Sequence, residues 1–193
     1  MPRPRTVEDD QILVAAAQAV GEVGPGGLTL AQVGEKVGLS PATLVQRFGS
    51  KRGLLLALAV HDADAMPSRI RSAAQAEEPL TALVEVLAGF ASSIGSARSF
   101  ANHLSFLLMD LSDPDFQEVS RRHATAIQQA TAEVLAAAVD RGTANLHLPV
   151  TETARLVHTV YSGALVTWGM DPRGSARSAV SSALSAVLGS LTR

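Results

Sequence analysis

Polar and basic side chains suited to contact with an anionic polymer are concentrated in residues 29–56. Gln46 carries an amide that can donate to and accept from one partner, and Arg47 and Lys51 carry charges that attract phosphates. An amide flanked by cations and helix-capping hydroxyls is typical of contact with nucleic acid. The residues that we expect to touch a DNA duplex are Thr29, Ser40, Pro41, Ala42, Thr43, Gln46, Arg47 and Lys51.

Two short helices joined by a tight turn would hold these side chains. Thr29 with Gln32 three residues later forms the pattern of a capping box, and Gly38 is a suitable helix stop. Ser40 then precedes a proline, which is tolerated at the first position of a helix. The pattern predicts a first helix from Thr29 to Gly38 and a second helix over Pro41–Phe48.

The second helix is too short to have a core of its own. Leu44 and Phe48 lie four positions apart and form its one inward stripe, so the other faces are free to point outward. A major groove about 12 Å wide admits one helix. The sequence therefore predicts a helix-turn-helix whose second helix enters the major groove.

The rest of the chain shows helical periodicity, and we predict an all-α protein of about nine helices. A head of residues 1–50, with the start of a linking helix at 51–76, would precede an effector-binding and dimerisation body of residues 51–193. Thr6 is the expected cap of the first helix. The predicted helices run over about 7–23, 29–38, 41–48, 51–76, 79–97, 98–111, 114–141, 151–169 and 175–191.

Composition narrows the function classes. The 193 residues include no cysteine, which excludes disulfides and thiolate metal sites. No stretch approaches the ~18 uninterrupted apolar residues of a membrane span, so we expect a cytoplasmic protein without membrane contact. The net charge of −2 does not by itself indicate nucleic-acid binding. The basic residues of the head, however, form two clusters, Arg3/Arg5 and Arg47/Lys51/Arg52.

Residues 8–60 resemble the tetracycline-repressor (TetR) family. The resemblance rests on ILVAAAQAV, the glycine-rich turn after it, Thr29, the GLSPATL segment and the run RFGSKRGLL. Three positions depart from the family pattern, since Ala42 replaces a glycine, Val45 a tyrosine and Arg47 a histidine. The tyrosine and the histidine commonly touch phosphates in the family. Val45 cannot form such a bond, whereas Arg47 can.

The resemblance implies a transcription repressor that binds a palindromic, double-stranded DNA operator and is released by a small ligand. The composition of the candidate pocket residues given below suggests that this ligand is largely apolar. It also implies a homodimer through the last two helices, with helix four as the lever between an effector pocket and the head. Small residues of the last two helices suit a two-fold interface, although packing within one chain is the alternative. They are Ala154, Ser162, Gly163, Ala164, Ala176, Ala179, Ser182, Ala183 and Ala186, interleaved with Val157, Leu165, Val180, Leu184, Val187 and Leu188.

The candidate effector pocket draws on the scarce aromatic residues and histidines of the body. The same residues could equally be ordinary core. The primary candidates are Phe90, His103, Phe106, Leu107, Asp110, Ile127, His158, Tyr161 and Trp168, with Phe100, Met109, Phe116, His123 and Val166 as further members.

The sequence gives little support for a metal site or a phosphate-binding loop. His61, Asp62 and Asp64 are better explained as a solvated helix face than as a metal site, and Gly24–Gly27 lacks the lysine of a phosphate loop. We expect no metal and no cofactor. Three classes remain: a ligand-gated repressor, a DNA-binding protein whose body answers to a protein partner or to nothing, and a helical enzyme with an accidental resemblance.

Overall fold

The structure is a computed structural model that describes residues 7–191, with the side chains at 62–64, 107 and 110 left undescribed. Thr6 and the Arg3/Arg5 cluster therefore lie outside the described residues. Between residues 7 and 191 the chain is helical, with no strand, which confirms the all-α prediction. The helices are α1 (Asp9–Gly27), α2 (Leu30–Val37), α3 (Pro41–Phe48), α4 (Lys51–Ser72), α5 (Pro79–Ala91), α6 (Ala97–Ser112), α7 (Pro114–Asp140), α8 (Val150–Met170) and α9 (Ala176–Leu191).

Several predicted helix bounds need correction. The first helix begins at Asp9 rather than Val7, because Glu8 and Gln11 form a reciprocal capping box there. Its regular part ends at Gly24, whose φ of 73° breaks the helix, and a further turn through Pro25 follows. The fourth helix ends at Ser72 and continues as a short 3-10 turn, Ala73–Gln75. The fifth ends at Ala91, six residues before the predicted position.

The chain divides into two compact units. The first comprises residues 7–62 and 101–120, and its core joins apolar residues of α1 to α4 with Phe116 of α7. Ile12, Val33, Leu44 and Leu54 are all fully buried there. Burial of side chains of this size contributes about 1.5–3 kcal/mol each. The short helices α2 and α3 are therefore held by tertiary packing rather than by their own length.

The second unit comprises residues 63–100 and 121–191. Its core is formed by the apolar stripes of α5, α7, α8 and α9. Leu83, Leu135, Val157 and Leu184, one from each helix, have at most 1% of their surface exposed. This unit is a helical bundle built around leucine, valine and alanine.

Two backbone contacts allow no side chain between the elements they join. A Cβ atom at Gly34 in α2 would lie 2.3 Å from the carbonyl oxygen of Leu39, and the Leu39 N–H donates to the Gly34 carbonyl at 2.9 Å. A Cβ atom at Gly53 in α4 would lie 1.9 Å from the carbonyl oxygen of Phe48. The turns on either side of α3 are thus as tight as main chain permits.

We predict that Gly34→Ala destabilises the protein although alanine is the better helix former. The gain in helix propensity is about 1 kcal/mol, whereas forcing a Cβ against main chain costs about 1–3 kcal/mol or more. Thermal unfolding should show a lower Tm. Gly26→Ala is the control, since its Cβ would meet nothing within 4 Å. Equal Tm values for the two variants would contradict the close contact at Gly34.

Candidate nucleic-acid interface

Helix α3 is positioned with one buried and several exposed faces. Leu44 is fully buried and Phe48 is half-buried, as the predicted inward stripe requires. Pro41, Ala42 and Gln46 are exposed. The exposed faces carry an amide and small groups, so this helix can approach a flat or grooved surface closely.

The N-termini of α2 and α3 are capped as the sequence predicted. The Thr29 Oγ1 accepts from the Gln32 N–H at 3.2 Å, while the Gln32 Oε1 accepts from the Thr29 N–H at 2.8 Å. The Ser40 Oγ accepts from the Thr43 N–H at 3.2 Å and lies 2.9 Å from the Thr43 Oγ1. These caps fix two helix N-termini, whose amides and dipoles favour bound anions.

Arg47, expected at the groove edge, contacts the start of the described chain. Its Nη1 donates to the Val7 carbonyl oxygen at 2.6 Å and lies 3.3 Å from the Asp9 Oδ1. The side chain remains 29% exposed. This contact was not predicted because 40 positions separate Arg47 from Val7 in the sequence. Arg47 thus joins the last turn of α3 to the residues that precede α1.

Lys51 also has a partner within the chain. Its Nζ donates to the carbonyl oxygen of Gly26 at 2.9 Å. The bond ties the first residue of α4 to the turn that follows the break at Gly24. Lys51 is half-buried, and its charge compensates the carbonyl end of α1.

Arg52 forms the centre of an ion-pair cluster that the sequence analysis did not predict. Its guanidinium donates to both Asp113 carboxylate oxygens, at 2.8 and 2.6 Å, and to the Asp115 Oδ2 at 2.7 Å. It also lies 5.5 Å above the ring centroid of Phe116. The hydrogen bond from Arg52 lowers the pKa of Asp113, while Asp113 and Asp115 raise that of Arg52. The aspartates lie 61 and 63 positions away, where no local pattern could reveal the contact.

The candidate effector residues are distributed over the two units. His103, Phe106, Met109 and Phe116 belong to the first unit, where the rings of Phe106 and Phe116 meet edge to face at 5.9 Å. Phe116 is fully buried in the core of that unit. The side chains of Leu107 and Asp110 lie outside the described part of the chain.

The remaining candidates belong to the second unit. The Trp168 ring meets that of Phe100 edge to face at 6.4 Å, and its Nε1 donates to the Gly174 carbonyl at 3.2 Å. Ile127 is buried, and Phe90 packs beneath the guanidinium of Arg69 at 4.5 Å. The second unit also contains the pocket candidates His123, His158, Tyr161 and Val166.

His158 and Tyr161 place polar atoms inside the apolar second unit. The His158 Nδ1 is buried and has no hydrogen-bond partner among the described residues. Burial lowers the pKa of His158 and raises the pKa of Tyr161 to about 12. At neutral pH both side chains are therefore uncharged, and the Nδ1 of His158 is available for a hydrogen bond.

The small and aliphatic residues of α8 and α9 that were predicted to form an interface divide into two sets by burial. One set, buried within the chain, comprises Ala154, Val157, Leu165, Ala176, Val180, Leu184 and Leu188. The other set is exposed or half-buried and comprises Ser162, Gly163, Ala164, Ala179, Ser182, Ala183, Ala186 and Val187. The first set lies in the core of the second unit, where α9 contacts both α8 and α5. In the second set, Ala164 and Ala179 also pack against that core, and the others are exposed or half-buried.

The described residues were compared with the requirements of a metal-binding cluster and of a membrane-spanning helix, and they meet neither. Residues 7–191, without the undescribed side chains, contain no group of three or more His, Asp or Glu side chains able to hold a metal ion. Within the same range, none of the helices has the length and apolar character needed to cross a bilayer.

Comparison with known proteins identifies relatives of the head and of the longer chain. Residues 12–58 match the family model described as bacterial regulatory proteins, tetR family. Over 153 residues the chain is 26% identical to the HTH-type transcriptional repressor AcnR of Corynebacterium efficiens, covering 79% of this chain and 77% of AcnR.

Solved structures share the fold over nearly the whole chain. A TetR transcription regulator from Haloarcula marismortui gives a TM-score of 0.81 at 16% identity, covering 96% of this chain and 98% of that one. SmeT, the repressor of the Stenotrophomonas maltophilia multidrug efflux pump SmeDEF, gives 0.72 at 18% identity, covering 97% and 92%. SmeT has also been solved in complex with triclosan. At these identities the likeness establishes the fold.

We predict that the Arg52 cluster makes stability depend on pH in acid. The pKa of Asp113 is lower in the folded than in the unfolded chain, so the unfolded chain binds more protons between the two values. The free energy of unfolding should therefore fall as the pH drops below about 4. Tm measured from pH 6 to pH 3 should fall less steeply for Asp113→Asn than for the unaltered protein.

The control removes a carboxylate elsewhere. Glu77→Gln, at an exposed position between the 3-10 turn and α5, should leave the slope of Tm against pH in this range close to that of the unaltered protein. If Asp113→Asn gives the same slope as Glu77→Gln, the ion pair does not exist in solution.

Proposed function

We propose that the chain is a member of the tetR family of bacterial regulatory proteins, whose family model matches residues 12–58, and that it is a transcriptional repressor which a small, largely apolar ligand releases from its operator. The observation that carries the DNA-binding part is the presentation of α3. Its Leu44 anchors the helix in the core, while Gln46 on the outer side is exposed. This is the arrangement that a recognition helix needs in a major groove.

The residues around α3 would make different kinds of contact with the duplex. Gln46 suits bidentate contact with adenine, because its amide matches the donor and acceptor that this base presents in the major groove. The capped N-termini at Thr29 and Ser40 suit phosphates on either side of the groove. Pro41, Ala42 and Thr43 lie in the first turn of α3, where they would meet base edges or the backbone.

We further propose a homodimer through the outer side of α8 and α9. A groove of about 590 Å³ between these helices is lined by Val160, Gly163, Ala164, Ala179 and Ala183, with the polar residues Thr159, Thr167, Asp171 and Arg173 also present. Small side chains let helices of a second copy approach closely. A two-fold axis through this face would present two α3 helices to a palindromic operator in the cytoplasm.

The effector part of the proposal rests on polar groups within the second unit. A pocket for a small molecule is mostly apolar with a few polar groups that orient the ligand. The buried, unbonded Nδ1 of His158 and the neutral hydroxyl of Tyr161 suit that role. SmeT, which has the same fold, has been solved with triclosan. In the proposed division, residues 1–50 bind DNA and residues 51–193 dimerise and bind the effector.

We predict salt-dependent binding to a duplex selected from a random pool. Phosphate contacts release counterions, so the logarithm of the binding constant should fall linearly with that of the salt concentration. Gln46→Ala should cost about 1–3 kcal/mol of discrimination at one base pair of each half-site while the salt slope stays unchanged. Gln129→Ala, at another exposed glutamine, in α7, is the matched control. Absence of duplex binding at low salt would overturn the proposal.

We predict that a small apolar molecule raises the Tm of the protein and releases it from the selected duplex. A ligand that binds only the folded protein at 100 times its Kd adds about 2.7 kcal/mol of stability. A compound panel that begins with triclosan can be tested by thermal shift and fluorescence anisotropy. His158→Phe should weaken both responses, with His147→Phe, at an exposed position, as control. If every stabilising compound leaves the DNA complex intact, ligand release is wrong.

A further inference from the structure

We propose that Val45 is a specificity-determining residue that packs its isopropyl group against the C5-methyl of a thymine, in the base pair that Gln46 contacts or in the next one. The inference rests on the proposed function, since it requires α3 to occupy a major groove. It assigns a role to a position at which this chain departs from the family pattern, and it names A·T pairs as the DNA that α3 contacts.

Val45 is the exposed member of the large apolar residues of α3. All three of them are described: Leu44 is fully buried, Phe48 is half-buried, and Val45 is 46% exposed. Leu44 belongs to the core of the first unit, and Phe48 packs against that core. Val45 takes no part in it. The packing of α3 within the chain therefore does not explain an apolar side chain at this position.

Helix formation does not explain the valine either. Valine is β-branched and has a lower helix propensity than alanine, because its χ1 is restricted in a helix. The same restriction is favourable at an interface. A side chain that already occupies one rotamer loses little conformational entropy when a partner packs against it.

Val45 shares a surface of α3 with Ala42 and Gln46. Residues three and four positions apart are neighbours on a helix, so Ala42 adjoins both of the others. All three are exposed. Consecutive residues are about 1.5 Å apart along a helix axis, whereas base pairs are about 3.4 Å apart along a duplex. Val45 and Gln46 would therefore face the same base pair or two adjacent ones.

An A·T pair presents groups that match both side chains. In the major groove, adenine offers an acceptor and a donor that suit the Gln46 amide, and thymine offers a C5-methyl that suits an apolar contact. Unmodified guanine and cytosine present no methyl group there. Contact between the isopropyl group of Val45 and this methyl would remove apolar surface of both from water. Val45 would thereby distinguish thymine from cytosine without a hydrogen bond.

The cation that could favour guanine has partners within the chain. Arginine and lysine bind the O6 and N7 of guanine, which is the commonest specific base contact. All eight residues of α3 are described, and Arg47 is the one cation among them. Its Nη1 donates to the Val7 carbonyl oxygen at 2.6 Å and lies 3.3 Å from the Asp9 Oδ1. The uncharged surface of Ala42, Val45 and Gln46 therefore matches A·T pairs better than G·C pairs.

The test removes single methyl groups from the DNA. In the duplex selected from a random pool, thymines of the half-sites are replaced one position at a time by deoxyuridine, which keeps the base pair and lacks the C5-methyl. The Kd of the full chain is measured by fluorescence anisotropy. At one thymine, in or next to the pair at which Gln46→Ala loses discrimination, the replacement should weaken binding about fourfold, as expected for one buried methyl group. Replacement in both half-sites should weaken it about fifteenfold.

The matching change in the protein is Val45→Ala. This variant should bind the thymine duplex about as weakly as the unaltered protein binds the duplex with deoxyuridine in both half-sites. It should not distinguish thymine from deoxyuridine at that position. Its Tm should not fall, because the isopropyl group is exposed and alanine is the better helix former.

Two controls accompany this pair of changes. Val139→Ala, at a 40% exposed valine in α7, should keep the full preference for thymine. Deoxyuridine placed outside the half-sites should leave the Kd of the unaltered protein unchanged. If deoxyuridine weakens binding equally for the unaltered protein and for Val45→Ala, the methyl group acts without Val45 and the inference is overturned.

The inference and the proposed function fail in different ways. If Gln46→Ala loses discrimination while deoxyuridine at every thymine of the half-sites leaves the Kd of the unaltered protein unchanged, Val45 contacts no thymine methyl and the proposed function stands. If the unaltered protein binds no duplex at low salt, the proposed function fails, and the inference fails with it.

Discussion

The Leu39 carbonyl oxygen approaches α2 at Gly34, and the Phe48 carbonyl oxygen approaches α4 at Gly53, each at a distance that leaves no space for a methyl group. These two contacts set the orientation of α3 from both ends. Because α3 has only eight residues, its own hydrogen bonds cannot keep it in place. The outward presentation of Gln46 thus depends on main-chain packing at two glycines, together with the burial of Leu44.

Three basic residues of the described part of the head make contacts within the chain. Arg47 bonds to Val7, Lys51 to Gly26, and Arg52 to two aspartates at the start of α7. In this chain, whose net charge is −2, basic side chains therefore hold the helices of the head in place as well as attracting anions. Groups that are held in place before binding lose little entropy when they bind a partner.

Local patterns in the sequence predicted the part of the site that local interactions determine. The Thr29 box and the Ser40 cap were correct because each joins residues three apart. The contact of Arg52 with Asp113 was missed because 61 positions separate the partners. Phe116 was predicted as a pocket candidate because it is an aromatic residue of the body. It is buried in the core of the first unit. Composition cannot distinguish such a core from a cavity, and the effector residues accordingly remain a prediction.

Trp168 is the one tryptophan of the sequence. The residue is 7% exposed, and its indole packs edge to face on Phe100 and donates to the Gly174 carbonyl in the turn between α8 and α9. Indole emission from the unlabelled protein therefore originates at a single known position. The chain carries its own optical reporter on the junction of its two terminal helices, and spectral changes during assembly or refolding can be assigned without mutagenesis.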